Sequence, residues 1–174
     1  VSATAEDCFL NDGVMFAKSR DVEGFEAFLE KGKNALPKRQ RKRTVLLLRA
    51  HWHFYQAEFS AATLLLNQWD SRHPRHSLRF HTLKVCNTYE EWRREQVESN
   101  DLERALRSFK EFLQHTDLFS KYKRQSYRNL IWFIQKMAQH GQKRGLSKEQ
   151  LQAELEKRQL AAPDWVAAKI GELP

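Results

Sequence analysis

The chain has 174 residues, with 30 Lys and Arg against 22 Asp and Glu, a formal net charge of +8. Only 6 Gly and 4 Pro are present, which disfavours an all-β fold with its frequent turns and excludes linker-like or collagen-like chains. The 11 Phe, 5 Trp and 4 Tyr exceed what disordered chains carry, and two distant cysteines, Cys8 and Cys86, form neither a disulfide framework nor a closely spaced zinc set.

The apolar residues recur at three and four, the helical period. Helices are predicted at 4–18 and 21–33, split at Arg20-Asp21. The next covers 39–57. Within it Val45, Leu46, Leu47, Leu48, Ala50, Trp52, Phe54 and Tyr55 wrap nearly all round, so it should be buried between several neighbours. A short helix at 59–70 follows. The segment 75–98 has two apolar edges, one with Leu78, Val85, Tyr89 and Trp92, the other with Phe80, Leu83, Cys86 and Val97. A helix at 100–115 carries the stripe Leu102, Ala105, Leu106, Phe109 and Leu113, capped by Asn100 or Asp101. The helix at 118–140 has an apolar arc of Phe119, Tyr122, Tyr127, Leu130, Ile131, Phe133, Ile134, Met137 and Ala138, with Gly141 as its stop. Ser147 and Gln150 form a capping box for 147–159, with Leu151 and Leu155 inward. Pro163 opens a last helix at 163–172 that buries Val166, Ile170 and Leu173.

The expected fold is therefore all-α: about nine helices, no sheet, in antiparallel pairs. Pairs spaced about forty residues apart suggest a right-handed superhelical stack in which each pair buries its faces on the next. The whole of 1–174 reads as one such domain, with 147–174 as capping helices. No segment reaches the ~18–20 consecutive apolar residues of a membrane span. Val45-Leu46-Leu47-Leu48 is stopped by Arg49, and VSATAEDCFL lacks the layout of a signal peptide. A cytoplasmic location with reduced thiols is expected. The absence of an initiator Met points to the C-terminal part of a longer chain.

The second helices of the pairs resemble those of tetratricopeptide repeats: a large residue, a small one three later, a large one four after that. Phe59, Ala62 and Leu66 fit, as do Leu102, Ala105 and Phe109. Val22, Phe25 and Leu29 fit in outline, with Pro37 at the repeat end and Phe25 in place of the small residue. The first-helix pattern Trp…Leu-Gly…Tyr is missing. The resemblance covers about residues 20–115, and the part from Tyr127 onward is similar to the last helices of long uncharacterised bacterial helical-repeat proteins. It implies a binding scaffold for peptide segments, on the concave face formed by first helices.

The motifs of chemistry are sparse. His51 and His53 flank Trp52, about 200° apart on a helix, so they cannot share one metal. His73, His76 and His81 sit among Arg72, Arg75 and Arg79, which suits a polar loop and helix start better than a metal. Glu90, Glu91, Glu95 and Glu98 lie beside Arg93 and Arg94 and read as solvated ion pairs such as Glu90 with Arg94. Cys86, on an apolar edge, reads as core. There is no glycine-rich phosphate loop, nucleophile elbow or HExxH. No cofactor and no enzymatic activity are expected.

The charge is local: +5 over Lys38-Arg39-Gln40-Arg41-Lys42-Arg43 and +6 over 101–146. The first run reads as solvated first-turn residues. The informative stripe is Lys121, Arg124, Arg128, Trp132 and Gln135, within about 80° of one another opposite the apolar arc. A tryptophan among cations suits a binding hot spot, and Arg can hold carboxylates bidentately. The polar arc of 40–57 offers Arg49, His53 and Gln56, which would face the same groove in a solenoid. The expected partner is a protein or peptide, acidic or carboxylate-bearing. The alternative is nucleic acid bound without sequence preference through the basic patches. The discriminating feature is whether Trp132 is exposed or covered by the C-terminal helices.

Overall fold

The computed structural model describes residues 5–69, 74–143 and 145–174, with the side chains of all except Arg39, Pro74 and Arg75. Among these residues the regular structure is entirely helical: α1 (Ala5–Ser19), α2 (Val22–Lys33), α3 (Lys38–Tyr55), α4 (Phe59–Leu66), α5 (Pro74–Arg93), α6 (Ser99–His115), α7 (Lys121–Ala138), α8 (Lys148–Lys157) and α9 (Pro163–Gly171). None is long and apolar enough to cross a membrane.

The helix starts follow local chemistry. Asp21 accepts a hydrogen bond from the Gly24 N–H at 3.0 Å and opens α2. Ser120 does the same for the Lys123 N–H at 3.2 Å and opens α7. Ser147 and Gln150 make the expected capping box. The start of α6 differs from expectation. Glu98 is the cap and Asp101 stands at the third helical position, accepting from the Glu98 N–H at 3.1 Å. Two ends fall furthest short of the pattern, those of α4 and α5. Asn67 caps α4 at Leu66, and α5 stops at Arg93 because Glu95 turns left-handed at φ 57°.

That left-handed turn recurs. Arg20 (φ 60°) lies between α1 and α2, Ala57 (φ 61°) between α3 and α4, Glu95 between α5 and α6, and Gly141 (φ 79°) between α7 and α8. The α2–α3 and α6–α7 links contain no residue in that region. Each of these residues lies in the short link that ends one helix and leads into the next. Ala162, just before α9, is a further one at φ 54°.

The chain divides into two compact units, Val1–Glu91 and Trp92–Pro174. In the first, α3 is the central element, packed on α1, α2 and α4. Its all-round apolar surface is explained: Leu47, Leu48 and Ala50 join Leu10, Phe25, Leu29, Leu66, Phe80 and Leu83 in one core. Each fully buried Leu or Phe contributes about 1.5–3 kcal/mol of transfer free energy. Gly13 lets α1 approach closely, since a Cβ there would lie 2.7 Å from both methyls of Leu48. Phe25 stacks on Trp52 at 4.7 Å, and Phe9 on Phe28 at 4.7 Å. Cys86 is buried as expected, whereas Cys8 is an exposed free thiol.

A polar cluster ties α1, α3 and α5 beneath this core. Glu6, only 4% exposed, takes the Thr44 hydroxyl at 2.5 Å, His76 Nε2 at 3.0 Å and Arg43 Nη2 at 3.3 Å. Burial pushes its carboxyl up, but the Thr44, His76 and Arg43 contacts together hold it below 4.5. The basic run is thus not wholly solvated. Arg43 serves Glu6, and Arg41 donates to the carbonyls of Leu36 at 3.3 Å and Asn34 at 3.4 Å. Glu90 and Glu91 are buried rather than solvated. Glu91 accepts from the Thr63 hydroxyl at 2.8 Å, and Asn87 Nδ2 donates to the Phe59 carbonyl at 3.0 Å.

In the second unit the stripe Leu102, Ala105, Leu106, Phe109 and Leu113 is buried as patterned, and α6 packs on α7. Helices α8 and α9 pack on each other and both on α7. Leu151, Leu160, Val166, Ile170 and Leu173 are buried, as are Leu130, Ile131, Phe133, Ile134 and Met137 of α7. Leu155 is half-buried and Tyr122, assigned to the apolar arc, is 68% exposed. Of the residues that carry the tetratricopeptide likeness, Val22, 60% exposed, and Pro37 are exposed and the others are buried.

Candidate functional site

The second unit holds a cavity of about 410 Å³ between α6, α7 and the end of α8. From α7, Gln125, Arg128, Trp132 and Gln135 line it along one face. Lys110 and Gln114 of α6 form the opposite wall. Arg158, just past α8, closes one side. Its position is set by the α8–α9 link. Asn129 Nδ2 donates to the Gln159 carbonyl at 2.6 Å, and the Ala161 N–H donates to the Ser126 carbonyl at 3.1 Å.

Trp132 is half-buried, between the two outcomes foreseen from sequence. The Arg158 guanidinium lies over its ring at 4.1 Å from the centroid, and Phe133 meets it edge-on at 5.0 Å. Arg158 is itself held by Glu154, with Nε at 2.9 Å and Nη2 at 2.8 Å from Oε2. The Arg158 and Lys157 hydrogen bonds hold the Glu154 carboxyl below its ordinary value.

The stripe expected on α7 separates into two parts. Arg128, Trp132 and Gln135 share the cavity. Arg124 turns away to the α6–α7 link, with Nη1 3.4 Å from the Thr116 carbonyl and 3.9 Å from Asp117. Lys121 is exposed at the first residue of α7 and does not line the cavity. The second arc lies in the first unit. There Arg49 grips Glu26 bidentately at 2.8 and 2.9 Å, and His53 Nδ1 is 2.6 Å from Glu58. Gln56 is half-buried at the end of α3, with its Nε2 enclosed and unbonded.

Lys110, Gln114, Gln125, Asn129 and Arg158 were not foreseen. Lys110 and Gln114 stand on α6 and Arg158 lies past α8, where periodicity within α7 cannot reach; Gln125 and Asn129 are on α7, beside the stripe rather than in it. Electrostatically the site is one-signed. It has three cations, Lys110, Arg128 and Arg158, and no carboxylate in its lining. Among the described residues Lys110 and Arg128 enter no ion pair, while Arg124 and Arg158 do.

Other clusters are arranged for packing. Burial, then Arg79 and Lys18, pulls His51 down to about 3, so it is neutral. Burial and Lys84 take His81 to about 4. His76 serves Glu6. Arg72 and His73 lie outside the described residues, as does the side chain of Arg75. Among the described residues no group of three or more His, Cys, Asp or Glu side chains could hold a metal ion. No protein-family model matches the chain, and no curated protein or solved structure matches it.

Proposed function

We propose that the chain is a non-enzymatic, tetratricopeptide-like helical-repeat module that binds an acidic, carboxylate-bearing segment of a protein partner in the α6–α7 cavity. The observation that carries this reading is the pair Lys110 and Arg128, which among the described residues have no ionic partner and face a cavity lined by no carboxylate. Arg128 supplies a fork for a carboxylate. Trp132, stiffened by Arg158, supplies a rigid wall. The side-chain amides of Gln114 and Gln135 supply donors and acceptors for a peptide backbone. Two free thiols suit a reducing compartment.

The test is fluorescence anisotropy with a labelled Glu-rich peptide. Arg128→Glu should weaken binding at least tenfold and Lys110→Glu should do the same, while the helical spectrum is unchanged. Equal binding by wild type and both variants refutes the reading.

A second reading rests on Tyr122, 68% exposed between the exposed Lys121 and Lys123. Cations around an exposed aromatic suit single-stranded nucleic acid, where bases stack on the ring. Trp132 suits it less, because Arg158 occupies its face. A labelled oligonucleotide at low salt separates the two. A mobility shift lost in Tyr122→Ala but kept in Arg128→Glu favours nucleic acid.

A further inference from the structure

The cavity at Trp132 continues beyond Lys110 and Gln135. Both residues also line a second cavity of about 420 Å³, so the two adjoin along α6 and α7. The second has an apolar patch of Trp92, Leu102 and Leu106 within an otherwise polar lining. Past Trp92 and Ser99 the groove runs into a third depression of about 560 Å³ that carries Glu95 and Glu98. The groove is therefore graded. Glu95 and Glu98 stand at one end, the middle carries Trp92, Leu102 and Leu106 flanked by Glu103 and Arg107, and Lys110, Arg128 and Arg158 stand at the other.

Its length limits the occupant. Ser99 to Gln114 on α6 spans about 22 Å at ~1.5 Å per residue. An extended chain at ~3.3 Å per residue covers that with about seven residues. The walls favour an extended chain over a helix. Gln114, Gln135 and Gln142 line the groove, and among the described residues their side chains make no hydrogen bond. An extended backbone has N–H and C=O groups to offer them, whereas a helix has already satisfied its own.

Resting on the acidic-peptide reading, we infer that the ligand is an extended segment of about seven residues with three zones. Acidic side chains meet Arg128 and Lys110. One large aliphatic side chain enters the Trp92–Leu102–Leu106 pocket. A basic residue follows, toward Glu95 and Glu98. From Lys110 to Leu106 and Leu102 is about 6–12 Å along α6, so the acidic and aliphatic zones are two to four residues apart.

The experiment uses the full chain and labelled synthetic peptides of the pattern Glu-Glu-spacer-Leu-Lys, made in both chain directions. A Leu→Ser version and a Glu-only version accompany each. In one direction the complete peptide should bind about tenfold more tightly than its Leu→Ser version, from burial of the aliphatic side chain. Arg128→Glu should weaken both. If the Leu→Ser and complete peptides agree within twofold while Arg128→Glu still weakens them, the three-zone ligand is refuted and the acidic-peptide reading stands. If no peptide of either direction gives saturable binding, both are refuted.

Discussion

Glu6 offers the sharpest test of the packing account, because one side chain joins three helices. In Glu6→Ala the three contacts at 2.5, 3.0 and 3.3 Å are lost together. Breaking a buried charged cluster by removing one member costs about 3–5 kcal/mol. Two features lower that here. Thr44 keeps an alternative acceptor in the Gln40 carbonyl at 2.9 Å, and the Arg43 side chain is 23% exposed, so water can reach it. The expected loss is about 2–3 kcal/mol for the first unit at neutral pH, and roughly 1 kcal/mol less for Glu6→Gln, whose amide can still accept from Thr44. The pH dependence adds a second arm. The folded carboxyl lies below 4.5, its ordinary value, so its stabilisation is complete above that pH and is lost as pH falls through the lower folded value. The gap between wild type and Glu6→Gln should therefore be full at neutral pH and narrow as pH falls below 4.5. Urea unfolding followed by circular dichroism gives the magnitude. Hydrogen exchange read on α1 and α3 assigns it to the first unit. A loss under about 0.5 kcal/mol at neutral pH, or a gap that stays constant to strongly acid pH, refutes the account.

Three further outcomes are expected. Gly32→Ala places a Cβ 2.0 Å from the Phe9 ring and should destabilise by about 1–2 kcal/mol despite better helix propensity, while Gly171→Ala meets nothing within 4 Å and should be neutral or slightly stabilising in the same melts. A thiol reagent should label Cys8 promptly in the native protein and Cys86 only after unfolding, because burial and Glu90 push the Cys86 thiol well up; two equally fast thiols contradict this. Arg158→Ala uncovers the Trp132 ring and should raise quenching of tryptophan fluorescence by iodide, with a stability loss near ~0.5–1 kcal/mol.

The apolar stripes and polar caps carried most of the fold into view. Leu102 to Leu113, the α3 run and the Ser147–Gln150 box are local signals, and each helix follows from its own segment. What stayed hidden depends on contacts distant in sequence. Glu90 and Glu91 looked like solvated carboxylates until Thr63 and Asn87, from an earlier helix and turn, made a polar niche for Glu91. Arg43 looked like surface until Glu6 of α1 reached it. The end of α5 was invisible because Glu95 is a good helix former holding a left-handed conformation. At the candidate site, one helix face was legible, giving Arg128, Trp132 and Gln135. Lys110 and Arg158 were not, since periodicity gives the direction of a side chain and says nothing of what stands opposite.

The left-handed turns have a kinetic consequence. In the first unit the α1–α2 and α3–α4 turns put Arg20 and Ala57, rather than glycine, at positive φ. Such a residue costs about 1–2 kcal/mol in isolation. Each turn is therefore seldom closed before its two helices have docked, and closes as they do. The hairpins form from the packed side inward, with the turn as a late latch. Arg20→Gly and Ala57→Gly would remove that latch, closing each hairpin earlier and loosening the tie between turn formation and core assembly.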